Sequence, residues 1–229
     1  MLVLCYVLAA LTVVFALGCV ILRRKGKSFE GMVCKFMASF GFISVAIVGY
    51  CNNPKNILYF CLVSFALLFG LSGDVILGIK EIAPKFRGKI IPLGTIYFLI
   101  GHIFFLAAFL KIGGFCLWAL LVGIAGGIFA FIMTRVVGMD LDTKLRVLMS
   151  VYYFAIVYKA ASAANLMIST GYTAYIIAFI GTVFFVISDT CLGLLYFTPV
   201  KKKNLWVSIE LSTYYPAQIL LALSVAYMQ

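Results

Sequence analysis

Long apolar runs dominate this sequence and limit what the chain can fold into. One of them, "ILYFCLVSFALLFGLSGDVILGI" at residues 57–79, contains a single charged residue, Asp74. Runs of about twenty apolar residues have the length of a helix that crosses the hydrocarbon core of a bilayer. Charged residues make up 11% of the chain, whereas soluble domains have about a quarter. The sequence therefore predicts an all-α polytopic membrane protein.

Eight such runs are predicted to be transmembrane helices of a single domain that extends over residues 1–229. Their predicted bounds are about 1–22, 32–50, 56–79, 90–110, 113–134, 146–168, 173–197 and 206–228.

The short loops between these spans alternate between charged and nearly neutral. Fifteen of the 18 basic residues flank the first, third, fifth and seventh loops. They are Arg23, Arg24, Lys25, Lys27, Lys35, Lys80, Lys85, Arg87, Lys89, Arg135, Lys144, Arg146, Lys201, Lys202 and Lys203. The positive-inside rule assigns these loops to the cytoplasm and both ends of the chain to the opposite side. Because topology accounts for the net charge of +11, a nucleic-acid-binding role is rejected. The sequence does not indicate the kind of membrane or the oligomeric state.

The cysteine and histidine content does not predict a metal site. The seven cysteines are scattered and form no C-x-x-C pair, and His102 is the one histidine. A typical zinc site needs a closer set of such ligands. We therefore expect no metal and no cofactor.

Ionisable residues inside the predicted spans are the first candidates for function, since such groups are costly in a bilayer. Four of the seven acids, Glu30, Glu81, Asp140 and Asp142, fall in the charged loops. The remaining candidates lie within spans and are Asp74, His102, Lys159, Asp189 and Glu210. Helix geometry puts most of them in the half of the membrane nearer the basic loops.

The eighth span carries a polar stripe. Glu210, Tyr214 and Gln218 recur every four residues and therefore share one face of the helix.

Each of these residues also has a purely structural interpretation. An aspartate near a helix end can reach the headgroups or cap a neighbouring helix, and His102 can be a buried hydrogen-bond partner. Lys159 lies beside "AASAA", which suits close helix packing, and it can neutralise an aspartate or extend outward. Gly123 and Gly127 in "GIAGG" are interpreted as helix-packing residues.

Spans three and seven share a short internal similarity. "LLFGLSGDVILG" and "FFVISDTCLGL" both pass from apolar and aromatic residues through serine and aspartate to an apolar segment with glycine, and the second contains Ser188 and Asp189. A parallel duplication of four helices, with a site between the halves, would give this pattern.

Four motifs in order resemble the YhhN-type lysoplasmalogenase family. They are the "GD" of "LFGLSGDVILG", "GHIFFLAAF", "FFVISDTCLG" and "TYYPAQILLALS". The resemblance extends from about residue 56 to the end of the chain, while the first two spans carry nothing diagnostic.

The resemblance implies an ether hydrolase that cleaves the vinyl ether bond of lysoplasmalogens with water. The products are a fatty aldehyde and a glycerophosphocholine or glycerophosphoethanolamine. The family's proposed catalytic aspartates correspond to Asp74 and Asp189, and His102, Tyr214 and Gln218 fall at its motif positions. Lys159, Ser188 and Glu210 are added from this sequence as supporting polar residues.

The chemistry agrees with these residue types. A vinyl ether is hydrolysed by protonation of its β-carbon, which gives an oxocarbenium ion that water captures. This requires a general acid, a negative charge that stabilises the cation and a base for water, and two nearby carboxylates can supply all of them. The expected partners are a lysophospholipid and the surrounding bilayer.

Two other classes are considered. An intramembrane aspartyl protease would need glycine where Leu71 stands and tyrosine where Ser188 stands. A small-molecule or proton-coupled transporter would use similar buried charges, but its spans are often broken at the midplane, and here Pro216 alone interrupts one. Ion-dependent uptake without lipid turnover would identify the transporter.

Overall fold

Helices make up nearly all of the computed structural model, which describes residues 1–139 and 141–229. Asp140, one of the predicted loop acids, lies outside the described residues. The described residues form eight α-helices: α1 Leu2–Arg24, α2 Ser28–Asn52, α3 Ile57–Ile82, α4 Arg87–Gly113, α5 Leu117–Val136, α6 Thr143–Thr170, α7 Thr173–Phe197 and α8 Lys203–Leu223. The predicted all-α polytopic class is confirmed.

Each helix lies where a span is predicted, and the helices extend beyond most of the predicted bounds by a few residues. Among the described helices, the first seven are long and apolar enough to cross a membrane. The eighth, α8, carries the predicted polar stripe and is enclosed by α1, α2, α3 and α7. Its polar residues are buried by these neighbours, which explains why it can form despite its lower apolarity.

Local signals set several helix ends. The side chain of Asn56 accepts the Tyr59 backbone N–H at the start of α3, and Asp142 accepts that of Leu145 at the start of α6. Such caps satisfy backbone donors that have no partner within the helix. Gly171 ends α6 with a φ of +67°, a conformation that favours glycine.

Consecutive helices pair as hairpins, and small residues bring some of them close. A Cβ added to Gly123 would lie 2.6 Å from the Cβ of Tyr158, and one added to Gly127 would lie 3.0 Å from the Cβ of Phe154. The predicted packing role of this glycine pair, between α5 and α6, is confirmed.

The bundle has two chemically different ends. At the basic end, Arg24 of α1 donates to Ser208 of α8, and Arg87 of α4 donates to the Tyr196 carbonyl of α7 over 2.8 Å. At the neutral end, Asn53 donates to the Ala226 carbonyl over 3.3 Å. The charged and neutral loops therefore separate to opposite ends, as the alternation predicts.

Candidate functional site

Four of the five ionisable residues predicted within the spans lie in two hydrogen-bonded clusters inside the bundle, and the fifth, Glu210, is buried and lines a cavity. We name them by their carboxylates: the Asp74 cluster and the Asp189 cluster. The first joins α2, α3 and α8, and the second joins α4, α6 and α7.

Three side chains contact the carboxylate of the Asp74 cluster, which is 2% exposed. Lys35 Nζ lies 2.8 Å from Asp74 Oδ1. Ser39 and Tyr214 both donate to Oδ2, over 2.6 and 2.7 Å. A buried carboxylate is costly without such a complement of charge and hydrogen bonds, and here Lys35, Ser39 and Tyr214 supply it.

Helix periodicity positions these partners. Lys35 and Ser39 are four residues apart on α2 and face α3 together. Tyr214 and Gln218 repeat the spacing on α8, and Gln218 Nε2 donates to the Tyr214 hydroxyl over 3.0 Å. Gly70 makes room for this amide, because a Cβ there would lie 2.8 Å from Gln218 Nε2.

The Asp189 cluster is a directed chain of hydrogen bonds. Tyr152 donates to Asp189 Oδ2 over 2.5 Å, and His102 Nε2 lies 3.0 Å from the Tyr152 hydroxyl and 3.4 Å from the same carboxylate oxygen. Lys159 Nζ lies 3.1 Å from His102 Nδ1. Since the tyrosine proton points to Asp189 and lysine can only donate, a neutral His102 carries its hydrogen on Nε2.

Lys159 has no exposed surface, and its surroundings are aromatic. Its ammonium lies 4.1 Å from the centre of the Phe185 ring and 5.3 Å from that of Phe105. These rings and His102 hold the cation in place. Lys159 thus does not extend to the membrane surface, and it contacts His102, which in turn contacts Asp189.

Phe185 lies between the two clusters. Its ring centre is 4.7 Å from that of His102 and 5.6 Å from that of Tyr214, both in edge-to-face geometry. Phe98 packs against the same tyrosine at 6.1 Å. The two carboxylates therefore have separate partners and share an aromatic wall.

The two clusters have matching construction. Asp74 on α3 has partners on α2 and α8, whereas Asp189 on α7 has partners on α6 and α4. Each aspartate is thus contacted by the preceding helix of its own half and by the last helix of the other half. A parallel four-helix duplication would produce this exchange, so the duplication stays a prediction that the arrangement favours.

Three cavities open near the clusters at the basic end. The basic cavity, of about 460 Å³, contains Lys35 and Glu210 in its lining, and the Asp189 cleft, of about 30 Å³, reaches that carboxylate. The outer cavity, of about 650 Å³, is lined by residues of α4, α6, α7 and the segment before α8. Tyr196 lines all three, so they meet at this residue.

The predicted supporting residues take different places. His102 contacts Asp189, Tyr214 contacts Asp74, and Gln218 contacts Tyr214. Ser188 donates to the backbone carbonyl of Glu210 over 3.2 Å, which ties α7 to α8 beside the clusters.

Sequence reasoning missed Lys35, Ser39 and Tyr152. The sequence pattern groups Lys35 with the loop cations, yet it lies about 10 Å into α2 at 1.5 Å per residue and is 6% exposed. Its spacing from Ser39 is a polar i, i+4 pair in an apolar helix. Tyr152 precedes Lys159 by seven residues, so the two share a face of α6, and that spacing could have identified it.

The fold and these clusters define a polytopic helical membrane protein with catalytically capable groups in its interior. The sequence pattern of the YhhN family matches residues 31–225. The chain therefore belongs to the YhhN family, the family of lysoplasmalogenases. The match begins on α2, so it starts earlier than the predicted resemblance from about residue 56 and includes Lys35 and Ser39. Neither a search of curated proteins nor a search of solved structures found a match to this chain.

Proposed function

We propose that this protein hydrolyses the vinyl ether bond of lysoplasmalogens, with Asp74 and Asp189 as its catalytic carboxylates. The observation that carries the proposal is the burial of two separately hydrogen-bonded carboxylates, next to cavities, in a member of a lysoplasmalogenase family. The substrates are the alkenyl glycerophosphocholines and glycerophosphoethanolamines.

The reaction needs one proton and one water for each bond cleaved. The acid protonates the β-carbon of the alkenyl group, and the double-bond electrons form the new C–H bond. Water then adds to the oxocarbenium carbon and returns a proton to the carboxylate. The hemiacetal collapses as its hydroxyl loses a proton and the glycerol oxygen gains one, which releases the aldehyde and the glycerophospho-alcohol.

Asp74 is suited to stabilise the cation. Its ion pair with Lys35 and its hydrogen bonds from Ser39 and Tyr214 hold the carboxylate in a fixed position. A fixed negative charge in a water-poor interior stabilises developing positive charge much more than it would in water.

Asp189 is suited to deliver and recover the proton. Its contacts are the neutral Tyr152 hydroxyl and His102, rather than a directly paired ammonium. It also lines the cleft between α3, α4, α6 and α7, so a reacting carbon can approach it. Tyr152 and His102 would orient this carboxylate during the proton transfers.

The cavities support lateral access by a single-chain lipid. The outer cavity is lined by apolar residues that include Ile91, Leu195 and Phe197, and also by Arg87 and Lys203. A lysolipid could therefore leave the bilayer with its chain between helices and its headgroup towards the basic end. By the positive-inside rule, we assign that end to the cytoplasm and both ends of the chain to the opposite side.

Isotope labelling of the products tests this reaction. In D₂O, the proposed mechanism places one deuterium on the carbon next to the aldehyde. In ¹⁸O-labelled water, the glycerol product keeps its own oxygen and stays unlabelled. Label in the glycerol hydroxyl, or an aldehyde without deuterium, would contradict protonation at carbon. Purified protein with no turnover of either headgroup form would contradict the proposed activity.

A further inference from the structure

The basic cavity concentrates positive charge in one part of the basic end. Six of its described lining residues are basic and one, Glu210, is acidic. The basic ones are Arg23, Arg24, Lys35, Lys80, Arg87 and Lys203. They come from five places in the sequence, on α1, α2, α3, α4 and α8, so the tertiary fold rather than a single loop assembles the cluster.

Topology alone does not explain this concentration. The positive-inside rule requires basic residues near the loops at one end, but it does not require them to converge. Residues such as Lys25, Lys89 and Lys201 satisfy the rule from positions outside the cavity lining. Lys35, in contrast, is buried within a helix and reaches both the cavity and Asp74.

We propose that the basic cavity binds the phosphodiester of a glycerophospholipid headgroup. The inference rests on the proposed function, because it identifies the headgroup site of the same reaction. A phosphodiester carries one negative charge and oxygen acceptors that arginine and lysine donors match. A cavity of about 460 Å³ has the size of a small-ligand site.

The position of Lys35 links this site to the chemistry. Its ammonium is 2.8 Å from Asp74 Oδ1, and the same side chain forms part of the cavity wall. Only the glycerol backbone separates the phosphate of a lysoplasmalogen from its vinyl ether oxygen. A phosphate held beside Lys35 therefore brings the vinyl ether towards the buried carboxylates.

Arg87 and Lys203 are the best side chains for a test. Both are exposed and lie at the starts of α4 and α8, and both also line the outer cavity. Arg87 uses one nitrogen to bind the Tyr196 carbonyl, and a guanidinium has further donors. Both residues thus border the path from the bilayer into the basic cavity.

Binding of a saturated alkyl-ether lysophosphocholine, which has no vinyl group to protonate, tests the site without turnover. Isothermal titration in detergent should give an affinity about tenfold weaker for Arg87→Gln and for Lys203→Gln, the loss of one charge-assisted contact. Lys89→Gln and Lys201→Gln remove the same charge from the same end and should bind as the wild type does. Circular dichroism and size-exclusion profiles check that each variant is folded. If Arg87→Gln does not fold, Lys203→Gln alone still tests the site.

Comparison of three ligands, the lysolipid, alkylglycerol and inorganic phosphate, shows which part of the lipid the cavity binds. Alkylglycerol, which lacks the phosphate, should bind weakly and equally to all variants. Inorganic phosphate should compete poorly; if it binds as tightly as the lysolipid, the headgroup assignment is overturned. Equal affinity of wild type for alkylglycerol and lysolipid, or an equal loss in the Lys89 and Lys201 controls, overturns the site.

These outcomes are separable from those of the proposed function. Phosphate-selective binding without any vinyl ether turnover would support the headgroup site and contradict the proposed activity. Turnover that is unaffected by Arg87→Gln and Lys203→Gln, together with unselective binding, would contradict the site alone.

Discussion

At the scale of the residue, the ion pair of Lys35 and Asp74 allows both side chains to lie in the interior of the bundle. Lys35 and Asp74 are both buried. Removal of one partner of such a pair leaves an uncompensated charge, which is far more costly than removal of both. Each partner therefore offsets the cost of burying the other, and in the proposed function the same pair positions Asp74.

This asymmetry gives a prediction about stability. Lys35→Met or Asp74→Asn alone should destabilise the folded protein by about 3 kcal/mol, whereas the double variant should recover much of that loss. Thermal unfolding in detergent micelles measures all three variants against wild type. Additive losses in the double variant would show that the two residues do not interact as an ion pair.

Tyr152 gives a second prediction at this scale. Tyr152→Phe removes the donor to Asp189 and should lower turnover by about ten- to a hundredfold, the value of a hydrogen bond to a charged group. Tyr153→Phe is the matched control, because the neighbouring hydroxyl contacts Thr190 and lies outside both clusters. Aldehyde release by folded protein is the measurement. Equal rates for the two variants would remove Tyr152 from the mechanism.

At the scale of the element, glycine sets how closely α3 and α4 approach beside the site. A Cβ added to Gly73 would lie 2.6 Å from the ring of Phe98, which itself packs on Tyr214. The residue next to the predicted aspartate thus keeps the aromatic wall in place. In the "GD" motif, the glycine is therefore needed for packing, and the aspartate is the proposed catalytic residue.

Gly73→Ala tests this packing. The added methyl group should cost about 1–3 kcal/mol, since an overpacked interior must shift side chains or backbone. Gly88→Ala on α4 is the control, because nothing lies within 4 Å of a Cβ built there, and it should be neutral or slightly stabilising. Thermal unfolding of both variants is compared. A Gly73→Ala protein as stable as wild type would contradict the close approach.

The elements also show which parts of the fold and site the sequence could predict. Apolar runs predicted the position of every described α-helix, because membrane thickness fixes their length. Asp74 and Asp189 stood out because charge is rare in such helices. Lys35 did not stand out, because it lies near a basic loop; its spacing from Ser39 is a weak signal, and the packing of α2 against α3 shows its contact with Asp74.

The sequence alone also does not predict which side chains of distant helices contact each other. The hydrogen bond from Tyr152 to Asp189 depends on how α6 packs against α7, and the contact from Tyr214 to Asp74 depends on α8. Periodicity assigns a residue to a helix face but does not identify the helix it faces. Periodicity therefore does not assign Asp74 and Asp189 their separate sets of partners.

At the scale of the whole molecule, the separation of a basic and a neutral end gives a prediction of orientation. Cys51 is exposed and lies near the neutral end. A membrane-impermeant thiol reagent should label it from outside spheroplasts of a bacterial host. Lys201→Cys in a Cys51→Ser/Cys116→Ser background should be labelled only after lysis, because Cys116 is partly exposed at the neutral end. The reverse pattern would contradict the assignment of the basic end to the cytoplasm.

The bundle as a whole brings the outer cavity, the basic cavity and the Asp189 cleft together at Tyr196. In the proposed function, these cavities receive the chain, the phosphate and the vinyl ether of a lysoplasmalogen, in that order. We propose that the two buried aspartates cleave that ether.

The most direct test is aldehyde release from a lysoplasmalogen by purified protein, beside Asp74→Asn and Asp189→Asn. Asp142→Asn is the control, because that acid caps α6 away from both clusters and asparagine caps a helix equally well. We expect wild type and control to release aldehyde, and both site variants, assayed as folded protein, to lose at least about a hundredfold in rate. Undiminished turnover by either folded site variant would contradict the account.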